Sequence, residues 1–176
     1  YQGGDAYRYR LVAGALPYLQ RLFPYGGKRG STVELQLSGP NLEGADRLAL
    51  GIAANAPLGR QDIRARTAAG SSNPLAFEAS DLPDFSETEP NNAREQATTV
   101  SVPAAIQARL DTAKDIDFFK FKSDRDQRLS LEVFARRFGS PLDALLTLMD
   151  ASGNVLQQND DDSSGPDARI ETDFKA

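Results

Sequence analysis

The chain is 176 residues long, 26% charged and 40% hydrophobic, with a net charge of −5; this is the composition of a globular protein of one or two domains, and no run of about 18 apolar residues offers a membrane span. It contains neither cysteine nor histidine, which excludes disulfides, thiolate zinc sites, a cysteine nucleophile and a Ser-His-Asp triad, and leaves oxygen ligands suited to calcium or magnesium. Residues 1–80 hold nine Lys/Arg and six Asp/Glu, and residues 81–176 hold eleven and nineteen, so a net of +3 is followed by one of −8, and the acidic half is no footprint for nucleic acid.

The predicted elements are strands from end to end. In "AYRYRLVAG", Tyr7, Tyr9, Leu11 and Ala13 share one face and Arg8 and Arg10 the other, so residues 1–14 read as a lone strand. The turn signal "PYGGKRG" follows, then "STVELQLSG", in which Val33, Leu35 and Leu37 alternate with polar residues, then the turn "SGPN". Residues 17–80 read as one small sandwich. Hydrophobic periodicity stops in "DLPDFSETEPNN", where prolines, acids and amides crowd; residues 81–86 are the expected linker. From residue 87 to 176 the runs "DFFKFK", "RLSLEVFA" and "ARIETDF" alternate again, separated by the turns "ASGN" and "SSGPD". "SPLDALLTLMD" fits a helix or a buried strand, and its closing turn favours the strand. The expectation is an all-β protein made of two antiparallel β-sandwiches in tandem.

The candidate chemistry lies in the acids of the second half. In an extended "ETEPNN", Glu87, Glu89 and Asn91 point to one side, and Pro90 stiffens the chain between them. Asp115 and Asp117 share a face at the start of the next strand. If the first segment lies across that strand end, the two sets make an oxygen cage for a cation; otherwise they are a solvated acidic linker beside an acidic strand cap. A second cluster, Asp143 with Asp160, Asp161 and Asp162, offers a further ion site, or a solvated turn with Asx caps. It lacks the spacing of an EF-hand. "YGGKRG" lacks Walker spacing and reads as a turn. Arg136 and Arg137 beside Phe134 and Phe138 form a binding ridge or a charged strand edge. Tyr7, Tyr9, Tyr18 and Tyr25 contact a sugar or peptide, or simply pack. Nothing marks a cleft around an Asp/Glu pair, so an enzyme is not expected.

Four pieces in order carry a resemblance. "ETEPNN", "AKDIDFFKF", "SPLDALLTLMDASGNVLQQNDDD" and "DARIETDF" look like the opening signature, Asp-x-Asp-aromatic strand, Leu-Asp strand with its acidic loop, and following strand of the bacterial pre-peptidase C-terminal domain. The resemblance covers about residues 85–176, and departs from the family at the end, where a Gly-aromatic segment and a last strand are expected. It implies a calcium-associated, jelly-roll-like β-sandwich, secreted, periplasmic or at the cell surface, related to the collagen-binding domains of clostridial collagenases. It also implies calcium ligands at Glu87, Glu89, Asn91, Asn92, Asp115 and Asp117.

"LPYLQRLFPYGGKRGSTVELQLSGPNL" is similar to immunoglobulin-like IPT/TIG modules, through Phe23, Pro24, the glycines and the Gly39, Asn41, Leu42 ending. Residues 1–14 resemble the closing strand of a preceding pre-peptidase-type domain. They are expected to pair with such a domain, or with the open edge of a neighbouring copy. The function these resemblances imply is non-catalytic: binding or positioning an extracellular polymer or protein substrate beside a larger protein's other domains. The alternative is a purely structural segment of a surface-layer or adhesin-like array.

Overall fold

The computed structural model describes residues 4–163 and 165–175. The all-β expectation holds. The first half contains β1 (Arg21–Phe23), β2 (Gly26–Lys28), β3 (Thr32–Ser38), β4 (Arg47–Gly51), β5 (Gly59–Ile63), β6 (Arg66–Thr67), β7 (Gly70–Ser71) and β8 (Leu75–Ser80). One sheet runs β1-β3-β4 and a second β2-β8-β5, with β6 and β7 as a small hairpin. Alternation decides which side of each strand is wet: along β3, Leu35 and Leu37 are buried while Glu34 and Gln36 are exposed. Leu22 of β1 lies opposite Leu37, and Leu35 opposite Leu48 of β4. From the other sheet, Ile63 of β5 and Phe77 and Ala79 of β8 join the same core, so the two sheets form a sandwich.

The stretch "YGGKRG", expected as a turn, is half strand, at Gly26–Lys28. Gly26, Gly27 and Lys28 pair in parallel with Glu78, Ala79 and Ser80, and the turn proper comes after them. The glycines are there for space. A Cβ on Gly27 would lie 2.6 Å from Val33 and 2.7 Å from Ile52, and one on Gly26 3.0 Å from the Glu78 carbonyl. Tight backbone approach, not a bend, explains the pair.

The second half contains β9 (Asp84–Ser86), β10 (Thr98–Thr99), β11 (Ala105–Gln107), β12 (Phe119–Lys120), β13 (Gln127–Glu132), β14 (Leu146–Met149), β15 (Val155–Asn159) and β16 (Arg169–Phe174), with one-turn 3-10 helices at Arg94–Gln96 and Arg136–Phe138. "LTLM" is the strand, not a helix. The pairings are β9 with β11, β10 with β12, β13 with β16 and β14 with β15. Residues 81–86 are therefore more than a linker, since their last three residues are paired sheet. The sheets are also not antiparallel throughout: β2–β8, β9–β11 and β10–β12 are parallel. These strands are far apart in the chain or joined by long connections, so no hairpin dictates their direction.

The N-terminal run behaves differently. Residues 7–13 form no strand, and their side chains are exposed, Tyr9 at 90% and Leu11 at 81%. Ordered packing starts at Pro17 and Leu19, which are buried.

The two halves touch along one seam. The Tyr25 backbone N–H donates to Gln107 Oε1 at 3.2 Å. The Arg109 guanidinium lies over the Phe23 ring at 5.7 Å. Phe138, buried, packs on Tyr25.

Candidate metal centre

The segment after β9 is held across the ends of β11 and β12 by its backbone. Glu87 N–H donates to the Gln107 carbonyl at 3.1 Å, and the Asn91 carbonyl accepts from Phe118 N–H at 3.0 Å. This brings Glu87 and Glu89 over Asp117, which sits just ahead of β12. One carboxylate oxygen from each of the three lies within 4.8 Å of the others. Oxygens sharing one calcium at its usual ligand distance are at most about 5 Å apart, so this spread fits a common ion.

Asn91 is fully buried among them. Its backbone N–H donates to Glu89 Oε2 at 2.9 Å and its Nδ2 approaches Glu87 Oε2 at 3.5 Å. Its Oδ1 has no hydrogen-bond partner, and neither does Asp117 Oδ1, although both are buried. Buried polar atoms are almost always satisfied, so an orphaned acceptor on Asn91 and another on Asp117 itself leave this group open to a donor or a cation. Among the described residues none of the three carboxylates pairs with a Lys or Arg. Arg109 gives Glu87 Oε1 its backbone N–H at 2.7 Å, while its guanidinium goes to Asp111.

The electrostatics agree with that reading. Burial, then the charges of Glu87, Asp115 and Glu89, push Asp117 up to about 7. Burial also raises Glu87, against the pull of the Arg109 N–H, and Glu89 adds to the rise. Glu87 and Asp117 are partly desolvated and crowded by neighbouring acids, and among the described residues no Lys or Arg side chain pairs with them. Oxygen-only ligands of this kind suit calcium.

The other expected ligands lie beside this group rather than in it. Asp115 Oδ2 accepts the Asp111 N–H at 2.6 Å and so braces the turn before β12. The Asn92 amide lies against Ile116 and the Asp115 carboxylate. Asp111 was not singled out by its sequence context. It lines, with Phe23, Gln36, Glu87, Glu89 and Arg109, an open groove of about 410 Å³ at the seam between the halves. The only hint in sequence was the run of acids in "LDTAKDID".

The second acidic cluster is not gathered. Asp143 pairs with Arg136 at 3.1 Å, and Asp160 and Asp161 are exposed. Among the described residues, Glu87, Glu89 and Asp117 are the one group of three acids close enough to share an ion. The acid of that region that matters structurally is Asp167, 1% exposed. It accepts backbone N–H bonds from Ala135, Arg136 and Arg137, and pairs with the Arg137 guanidinium at 2.8 Å. Arg137 also reaches Glu132 and lies over Phe134 at 4.6 Å, so the arginine pair braces a turn instead of forming an open ridge.

No protein-family model matches the chain. A probable subtilase-type serine protease of Deinococcus radiodurans is 35% identical over 95 residues, which is 52% of this chain and 13% of that protein. The chain thus spans a small part of that relative. No solved structure matches it. Among the described residues no helix is long and apolar enough to cross a membrane.

Proposed function

We propose that this chain is a non-catalytic, calcium-binding accessory region of a larger secreted or surface protein such as a protease, with a pre-peptidase-type sandwich following an immunoglobulin-like one. The observation that carries the reading is buried Asn91 with an orphaned Oδ1 beside the Glu87, Glu89 and Asp117 carboxylates. The partial similarity to a subtilase-type protease supports the accessory role. Calcium at the seam would hold the segment after β9 across β12 and so set how the two halves sit. The work of such a region is positioning: presenting a protein or polymer substrate to a catalytic domain elsewhere in the parent chain.

The test is thermal unfolding with calcium and with chelator. A ligand that binds only the folded state at a hundredfold excess over Kd stabilises by about 2.7 kcal/mol. The melting temperature should rise with calcium, and Glu89→Ala combined with Asp117→Ala should remove the rise. Equal melting with calcium and with chelator overturns the proposal.

A further inference from the structure

The groove at the seam is built from both halves. Phe23 and Gln36 come from the first, and Glu87, Glu89, Arg109 and Asp111 from the second. Its volume of about 410 Å³ is that of a ligand cleft, and such clefts favour the boundary between domains.

Three of these side chains keep hydrogen-bonding capacity to spare. The Gln36 amide is exposed and bonds none of the described residues. Arg109 gives Nε and Nη2 to Asp111 and lies over the Phe23 ring, which leaves Nη1 free. The exposed Asp111 carboxylate accepts from that guanidinium alone, so its remaining lone pairs are open.

The charges cancel locally. With Glu87 and Glu89 engaged by calcium together with Asp117, the charged groups left at the groove are Arg109 and Asp111, one base and one acid. Across the sheet Gln36 lies opposite both Phe23 and Arg47, so this row leads onto the outer face of β3 and β4. There Arg47 and Glu34, both exposed, are again one base and one acid. A surface balanced in this way selects neither a polyanion nor a polycation. Nor does Gln36 offer free backbone to an extended peptide, because β3 is hydrogen-bonded on both sides. Donors and acceptors set around one aromatic ring match hydroxyl groups on a carbon ring.

We propose that the groove binds a neutral sugar unit of a polysaccharide. The Gln36 amide, Arg109 Nη1 and the Asp111 carboxylate take its hydroxyls, Phe23 takes its carbon face, and the polymer continues over the outer face of β3 and β4. The inference rests on calcium occupying the adjoining site, and it names the class of polymer the region positions.

The full chain, in calcium and in chelator, is titrated with short oligosaccharides of glucose, mannose, xylose and N-acetylglucosamine. A galacturonate oligosaccharide and a collagen-like Pro-Pro-Gly peptide serve as the anionic and peptide comparisons. Calorimetry reads affinity and backbone amide shifts read location. A neutral oligosaccharide should bind in calcium, shift the amides of Gln36 and Arg109, and bind several-fold more weakly in chelator. Gln36→Ala should weaken it about five- to tenfold, the effect of one lost hydrogen bond, while Asp62→Ala on the other sheet should leave it unchanged. The melting temperature separates this inference from the calcium reading. Where calcium raises it, four results overturn the sugar site and leave the metal site standing: no neutral oligosaccharide binds, the shifts lie elsewhere, Gln36→Ala binds as the parent does, or galacturonate or the peptide binds in place of the neutral sugars. Where calcium does not raise it, both readings fall.

Discussion

The rings of Tyr25 and Phe138 lie 5.8 Å apart, tilted at 42°, across the seam between the two halves of the chain. Tyr25 belongs to the bend between β1 and β2, and Phe138 ends the one-turn helix that Asp167 holds in place. Phe138 is buried, so the contact carries area burial as well as ring geometry.

Phe138→Ala should therefore cost about 3 kcal/mol, the lower range for truncating a buried phenylalanine. It should also loosen the orientation of the halves. Urea unfolding reads the first effect, and distance distributions between spin labels on β3 and β13 read the second. Unchanged unfolding together with unchanged distances contradicts this role.

Asp117→Asn should act in opposite directions with and without calcium. In chelator it removes one of several crowded negative charges and should raise the melting temperature. With calcium it removes a ligand charge and should lose most of the calcium-dependent gain. A variant that melts lower than the parent in chelator argues against the crowding described.

Calcium should stabilise more than magnesium at equal concentration. Magnesium demands near-octahedral ligands at about 2.0–2.1 Å and gives up its waters reluctantly. Three carboxylate oxygens spread over as much as 4.8 Å suit the larger, less exacting ion. Melting curves in the two ions, with strontium as a size control, decide the point.

Asp167 should make the second half acid-sensitive. Burial alone pushes its carboxyl up, but the Arg136 N–H, the Arg137 guanidinium and further backbone N–H groups hold it below the ordinary carboxylate range. A carboxyl lowered by folding stabilises above its unfolded value of about 3.9 and loses that contribution as pH falls through the folded value. Asp167→Asn should cost about 2–4 kcal/mol at neutral pH, since it leaves Arg137 short of a partner and weakens three backbone bonds. Below about pH 4 the difference from the parent should shrink. Denaturation at pH 7 and pH 3 measures both.

Gly27→Ala should destabilise the first half by about 1–3 kcal/mol, the range for overpacking a filled core. Its Cβ would meet Val33, Ile52 and Phe77. A glycine in a solvated turn of ordinary φ would tolerate alanine, so an unaffected variant returns "YGGKRG" to the turn reading.

Much of this protein was legible in one dimension. Strand alternation named the faces of β3, β13 and β16, because a period of two forces successive side chains to opposite sides. The absence of cysteine and histidine confined site chemistry to oxygen. The "ETEPNN" and "DID" acids could be marked as candidates because alternate residues share a side. Other features depended on distance between residues remote in sequence. Gly27 reads as a turn residue until β3 and β8 are seen pressing on it. Asp167 sits in an acidic run that looks solvated, and only the approach of residues 135–137 buries it. Residues 7–10 alternate like the strands, yet residues 7–13 form no strand, because alternation specifies a face and not a partner. Glu87, Glu89 and Asp117 became one group, and Asp143 and Asp160 did not, for the same reason. Local pattern sets where a side chain points, whereas backbone hydrogen bonds between distant segments, here Glu87 to Gln107 and Asn91 to Phe118, decide what it meets.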